Sequence, residues 1–149
     1  MSLITDIADA IVADLNLQTF SKALVAVRLY DPEVGLEELV GGRVVVVPKD
    51  KVRTATVTRS LDQRDSSIDV AVQAKIVARP GEDTAEIDGW MDYTDEIEDF
   101  LVRLKPSQMP DVLVTGVQNS PVFSWDHLHK LRVFTSLLTV TVAVAWRRE

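Results

Sequence analysis

The sequence contains no cysteine, only two histidines, six glycines and six prolines, and its aromatic content is 6%. Without a thiol, disulfides, thiolate metal centres and cysteine nucleophiles are excluded. The same absence fits folding in a reducing cytoplasm. No P-loop, G-x-S-x-G, G-x-G-x-x-G or H-E-x-x-H pattern occurs, so the familiar phosphate, hydrolase, dinucleotide and zinc-protease signatures are missing. Long apolar runs are missing too. The most apolar stretch, LLTVTVAVAW at 137–146, is too short for a membrane helix and rich in β-branched residues, so it reads as a strand. The first fifteen residues, MSLITDIADAIVADL, carry three aspartates and no base, which is not the pattern of a signal peptide. Positive charge is also in deficit. A net charge of −7 makes the surface as a whole repel nucleic acid.

What is present is one domain's worth of chain: 149 residues, 46% hydrophobic and 26% charged, enough for a real core. Ile4, Ile7, Ala8, Ile11 and Leu15 recur at helical spacing and predict a helix over 3–15, with Ser2 as N-cap. ALVAVRLY (23–30) reads as a strand stopped by Asp31-Pro32, and GLEEL (35–39) as a short helical turn. RVVVVP (43–48) and VRTATVTRS (52–60) read as two further strands; the unbroken valines of the first suggest burial on both faces, or one face against a partner. SSIDVAVQAKI (66–76) alternates strictly: Ile68, Val70, Val72, Ala74 and Ile76 on one face, Ser67, Asp69, Gln73 and Lys75 on the other. Asp83 and Glu86 resemble a capping box ahead of a helix whose stripe is Ile87, Trp90, Met91, Thr94, Ile97, Leu101 and Leu104, closed by Arg103, Lys105 and Pro106. Gly89 inside it suggests a close backbone contact near Trp90. DVLVTGV (111–117) is another strand. In the last one, 132–146, Leu138, Val140, Val142, Val144 and Trp146 share one face, and Thr135, Thr139, Thr141, Ala143 and Ala145 form a small, flat one. The expected order is α-β-β-β-β-α-β-β. Short connections favour antiparallel pairing, giving an α+β two-layer sandwich with a mostly antiparallel sheet of five to six strands and two main helices in a single domain, 1–149.

The one chemically suggestive cluster is Asp126, His127 and His129 in SWDHLHKLRVF. On a strand the two imidazoles would share a face and could reach one metal, but zinc wants a third and usually a fourth ligand, and only carboxylates remain to supply them. On a helix, residues two apart diverge. The spacing of Trp125, Leu128 and Leu131 behind Ser124 is that of a capped helical turn, so the histidines read as local structure, and no catalytic, metal or cofactor site is assigned.

Charge is segregated along the chain. Residues 43–64 hold six bases (Arg43, Lys49, Lys51, Arg53, Arg59, Arg64) against two acids, a net of +4. Residues 82–99 hold nine acids and no base. Each segment alone reads as a solvated face. Together they let a basic surface of one subunit dock on an acidic helix of the next, a heterologous contact that closes into rings or extends into fibres. Arg43, Lys51, Arg53, Arg59 and Arg64, with Asp88, Asp92, Asp95, Glu96 and Asp99, are the candidate interface residues. Nucleic-acid binding by the basic stretch is opposed by the whole-chain charge and by the lack of interleaved aromatics.

The segments AVRLYDPEVGLEEL, RVVVVP, QRDSSIDVAVQAKI, EIDGWMDYTDEIEDFL and FTSLLTVTVAV occur in this order. Over roughly residues 3–146 the chain resembles small tailed-phage and prophage proteins of the tail-terminator, or tail-completion, type. The resemblance implies an α+β protein without catalytic residues or cofactor. Such a protein forms a hexameric ring that caps the tail tube, stops its polymerisation and offers a head-joining surface. The implied partners are further copies of the chain, the tail-tube protein and a head-completion or connector protein. DNA would pass through the lumen without specific binding, and no membrane is involved. The implied location is the tail or neck of the virion, after assembly in the host cytoplasm. A hexamer would carry six times −7, or −42, around that passage. The neighbouring alternative is a head-completion or head-tail adaptor protein; one from another class is a small metal-binding enzyme built on His127 and His129.

Overall fold

The computed structural model describes residues 2–22, 24–30, 41–54, 61–107, 109 and 111–147, with the backbone alone for 53, 54, 61–63 and 145–147. Its elements are α1 (Leu3–Leu17), β1 (Ala26–Arg28), β2 (Arg43–Thr54), β3 (Leu61–Lys75), α2 (Thr84–Val102), β4 (Val112–Asn119), α3 (Trp125–Leu131) and β5 (Val133–Arg147). Period-two alternation gives β3 and β5 one apolar face each. They pair antiparallel through the middle of the sheet, from Leu61 opposite Arg147 to Lys75 opposite Val133. β2 joins β3 and β4 joins β5, both antiparallel, and β1 lies parallel to β2, in the strand order β1-β2-β3-β5-β4. The fold is thus α+β, an open and mostly antiparallel five-stranded sheet with helices packed on it.

Ile68, Val70, Val72 and Ala74 of β3 and Phe134, Leu138 and Val140 of β5 are all 0% exposed. They form one cluster with Ile7, Ala8, Ile11 and Leu15 of α1 and Trp90, Tyr93, Ile97 and Leu101 of α2. Each large side chain buried there contributes about 1.5–3 kcal/mol. Aromatic rings lock the helix layer. Trp90 stacks on Phe134 at 6.5 Å and meets Tyr93 edge-on at 6.0 Å, and Phe20 packs edge-on against Tyr93 and Phe100. Val44, Val45 and Val46 are all buried, so the valine run is covered on both faces at that point.

The structure corrects several expectations. The strands expected at 43–48 and 52–60 are one strand, β2, as far as Thr54; residues 55–60 lie outside the described residues, as does the expected turn at 35–39. Pro48 does not end the strand because the register shifts directly after it, between Pro48 and Asp50, and a bulge tolerates a residue without an N–H. The order is therefore α-β-β-β-α-β-α-β, with α3 inserted before the last strand. The β1–β2 pair is parallel because fourteen residues, 29–42, separate the two strands, long enough for a crossover. Of the described residues among 23–30, Ala26–Arg28 form strand.

No capping box forms at α2. Asp83 makes no side-chain cap bond; its carboxylate instead accepts from Arg132 Nη2 at 2.6 Å. Glu86 turns back to accept from the N–H groups of Val77 (2.8 Å) and Ala78 (2.9 Å). Gly89 is not the glycine at the Trp90 contact, since a Cβ added there would meet nothing within 4 Å. Gly42 is: at φ +88° it sits in the left-handed region, and a Cβ would run into the Trp90 ring.

These two glycines make opposite predictions. Gly42→Ala combines left-handed strain with a clash against a buried ring and should lower unfolding free energy by about 2–4 kcal/mol. Gly89→Ala should raise it by roughly 0.5–1 kcal/mol through helix propensity. Urea unfolding of both variants checks the pair.

Candidate functional site

α2 buries Trp90, Tyr93, Thr94, Ile97 and Leu101. The 3.6-residue repeat then turns Asp88, Asp92, Asp95 and Asp99 to the opposite side, where their spacing of four, three and four forms one stripe, and all four are exposed. Glu96 is not part of this ridge. Its carboxylate accepts from the Ser21 N–H at 3.0 Å and from the Ser21 hydroxyl, fixing the segment after α1 to α2. Of the five acids expected at an interface, four come together and one serves the fold.

The bases are less collected than their sequence spacing suggests. Arg43 opens β2 and is half-buried, whereas Lys51 is exposed towards the other end of that strand. Eight residues of strand separate them, about 27 Å, so Arg43 does not belong to the same patch. In the far part of the β2–β3 pair, Lys51 stands opposite Ser66 and Arg53 opposite Arg64. Alternation puts Lys51, Arg53 and Arg64 at positions of the same sheet face. Lys51 and Arg64, with Ser66, Val52 and the residues Ser2, Leu3 and Ile4 at the start of α1, line a cleft of about 440 Å³. Arg59 lies outside the described residues.

The sheet face away from α1 and α2 carries the flat stripe. Thr139, Thr141 and Ala143 are half-buried there beside Ser67 and Asp69 of β3. Asp69 accepts from Thr139 Oγ1 at 2.8 Å and lies 3.9 Å from Lys49 Nζ. An open groove of about 730 Å³ runs between the ends of α1 and α2 and is lined by Asp14, Phe20, Glu96, Asp99, Phe100 and Arg103 among others. Two of its acids are engaged within the chain: Glu96 with Ser21, and Asp14 with the Ser107 N–H at 3.0 Å and hydroxyl at 2.8 Å.

The histidines lie on α3, as the Ser124 capping pattern implies: Ser124 Oγ accepts from the His127 N–H at 3.3 Å. His127 Nδ1 and Thr135 Oγ1 are 2.9 Å apart, and the His129 ring stacks on Trp125 at 4.5 Å. The two imidazoles are thus committed to different neighbours. Among the described residues no group of three or more histidines and acids could hold a metal ion. Among them, too, no helix is long and apolar enough to cross a membrane.

Two features were not singled out from the sequence. Asn16 reaches β1, its Nδ2 donating to the Ala26 carbonyl at 3.1 Å and its Oδ1 accepting from the Ala26 N–H at 2.8 Å. Residues 112–125 contain no charged side chain at all, which was legible in the sequence as an absence. No protein-family model and no curated protein matches this chain.

Tyr93 is 1% exposed, and burial together with the nearby Glu96 charge pushes its phenol up to about 12. An ordinary phenol titrates near 10. Between those values the folded chain holds a proton that the unfolded chain releases, so stability is complete below about pH 10 and falls as pH rises towards 12. Urea midpoints across that range should drop in the parent, and Tyr93→Phe should remove that component of the drop.

Proposed function

We propose that this chain is a structural protein of a phage tail or neck, of the tail-terminator type, acting as a hexameric ring that caps the tail tube and presents a head-joining surface. The observation that carries the reading is the separation of opposite charges onto two different parts of one domain: the exposed Asp88, Asp92, Asp95 and Asp99 ridge on α2, and the Lys51, Arg53 and Arg64 positions at the far end of the β2–β3 pair. Surfaces of opposite sign at different places on one subunit favour head-to-tail contact between copies, and a head-to-tail contact closes into a ring when its rotation allows. The sheet face away from α1 and α2, with its Thr139, Thr141 and Ala143 stripe, adds a flat surface for neighbours. The ordered sequence segments that resemble tail terminators support the same reading.

The test is to mix purified chain with purified tail tubes and image the tube ends. Six-fold caps that block further addition of tube protein support the proposal. Binding to tailless heads instead would favour the head-completion role, and binding to neither would refute both. Exposed ion pairs contribute about 0.2–1 kcal/mol each. Reversing Arg53 and Arg59 to Glu, or Asp92 and Asp95 to Lys, should therefore weaken ring formation by about tenfold or more. The loss should be larger at low salt, and combining the two sets should restore part of it, as read by light scattering.

A further inference from the structure

We propose that a second copy of this chain docks, about a two-fold axis, on the uncharged margin formed by β4, residues 120–124 and Trp125 at the start of α3. This contact goes beyond the ring reading and uses none of its charged surfaces. Its first support is composition. In a chain that is 26% charged, residues 112–125 (VLVTGVQNSPVFSW) have no Asp, Glu, Lys or Arg, and their neighbour β5 has none from 133 to 146. The side chains are nonetheless on the outside: Leu113 is 60% exposed, Val122 47%, Phe123 37% and Trp125 61%. No residue of α3 is buried, so Trp125 and its stacked partner His129 are not held there by the core. Exposed aromatic and aliphatic side chains in a patch without charge are the composition of an interface centre.

The second support is the asymmetry of the sheet edges. β4 is an outer strand, and among the described residues nothing pairs with its far side. Beyond Asn119 the chain continues along β5: the Ser120 N–H donates to the Leu137 carbonyl at 3.0 Å and the Ser124 N–H to the Thr135 carbonyl at 2.8 Å. The margin therefore runs past the end of β4. The other edge, β1, is three residues long and is blocked at Ala26. The Val25 carbonyl and the Leu29 N–H face β2, at 3.5 Å from the Val44 N–H and 3.0 Å from the Val46 carbonyl, while both backbone groups of Ala26 are taken by the Asn16 carboxamide. With one edge blocked, the open edge of one copy cannot add to the β1 edge of the next. The remaining sheet-edge contact is the margin with itself, an isologous pairing that stops at two copies.

Charge selects the occupant. Copies of a −7 chain repel one another, and most strongly where the α2 acids stand out. A neutral surface is where two such copies approach with no charge to desolvate and no like charge opposite. The register shift between Val114 and Gly116 interrupts the edge and turns Thr115 back, its hydroxyl donating to the Thr141 carbonyl at 3.1 Å. The contact is therefore borne mainly by side chains on either side of the bulge rather than by a long ladder.

Equilibrium sedimentation of the full chain at high salt, where the charged ring contact is screened, should give a dimer. Leu113→Lys and Trp125→Glu, both at exposed positions, should weaken it at least a hundredfold while circular dichroism and melting temperature stay as in the parent. Because the chain has no cysteine, single substitutions Leu113→Cys, Thr115→Cys and Gln118→Cys report the geometry, and at least one should form a disulfide with itself on oxidation. A chain that is monomeric at all concentrations, unchanged dissociation in both charge variants, or an oligomer in which none of the cysteines cross-links would overturn the proposal. Asp92→Lys with Asp95→Lys weakens the ring contact and should leave this dimer intact, so failure of either reading is seen separately.

Discussion

The antiparallel pairing of β3 with β5 is the constraint from which the rest of the structure follows. These two strands lie inside the sheet, and each alternates apolar and polar residues along its length. Sliding one strand by a single residue would carry Leu138, Val140 and Val142 to the open face and put threonines against the helices, so the hydrophobic effect enforces the register. The remaining elements then have one apolar surface to cover, and α1 and α2 cover it with the stripes that face it. Their polar sides turn outward as a consequence. The acidic ridge of α2 is the far side of a helix whose near side is fully used.

Several acids in the same region are spent on holding the chain's connections. Asp14 fixes the turn at Ser107, Glu86 fixes Val77 and Ala78, and Asp83 receives Arg132. Arg132 is also the left-handed C-cap of α3, at φ 54°, so one residue ends that helix and ties it to the start of α2. Such bonds separate acids that serve the fold from acids that face solvent without a structural task. Asp88, Asp92, Asp95 and Asp99 belong to the second kind, and charge on that side of the molecule is free to act on neighbours.

The surfaces left over are of three kinds: an acidic ridge, a basic end of the β2–β3 pair, and an uncharged margin at β4. Opposite charges favour contact between unlike surfaces, whereas a neutral apolar margin matches itself. On the proposed reading, a chain with both kinds of surface would form closed rings through the first and pairs through the second, and the two would respond differently to salt because charge screening reaches only one of them.

Period alone made β3, β5, α1 and α2 legible in the sequence, because one buried face per element imposes a regular pattern on the residues. The division of β5 into a large apolar face and a small Thr/Ala face, and the Ser124 cap on the histidine segment, were legible for the same local reason. What depended on partners distant in the chain was not. The strand read as ending at Pro48 runs on past it because of the bulge beside it, and the β1–β2 pair is parallel although short connections favour antiparallel neighbours. Asp83 and Glu86 match a helix cap by spacing, yet Arg132 and the Val77–Ala78 turn compete for them and win. Gly42 meets Trp90 across 48 residues, while Gly89, one residue away from that ring, touches nothing. The spread of Arg43 from Lys51, and the closing of β1 by Asn16, likewise come from strand length and from a side chain returning to a neighbouring element. Sequence determined which residues must be buried and with what period. Tertiary structure decided which polar groups find each other, because hydrogen bonds are directional and their partners are chosen by geometry rather than by proximity along the chain.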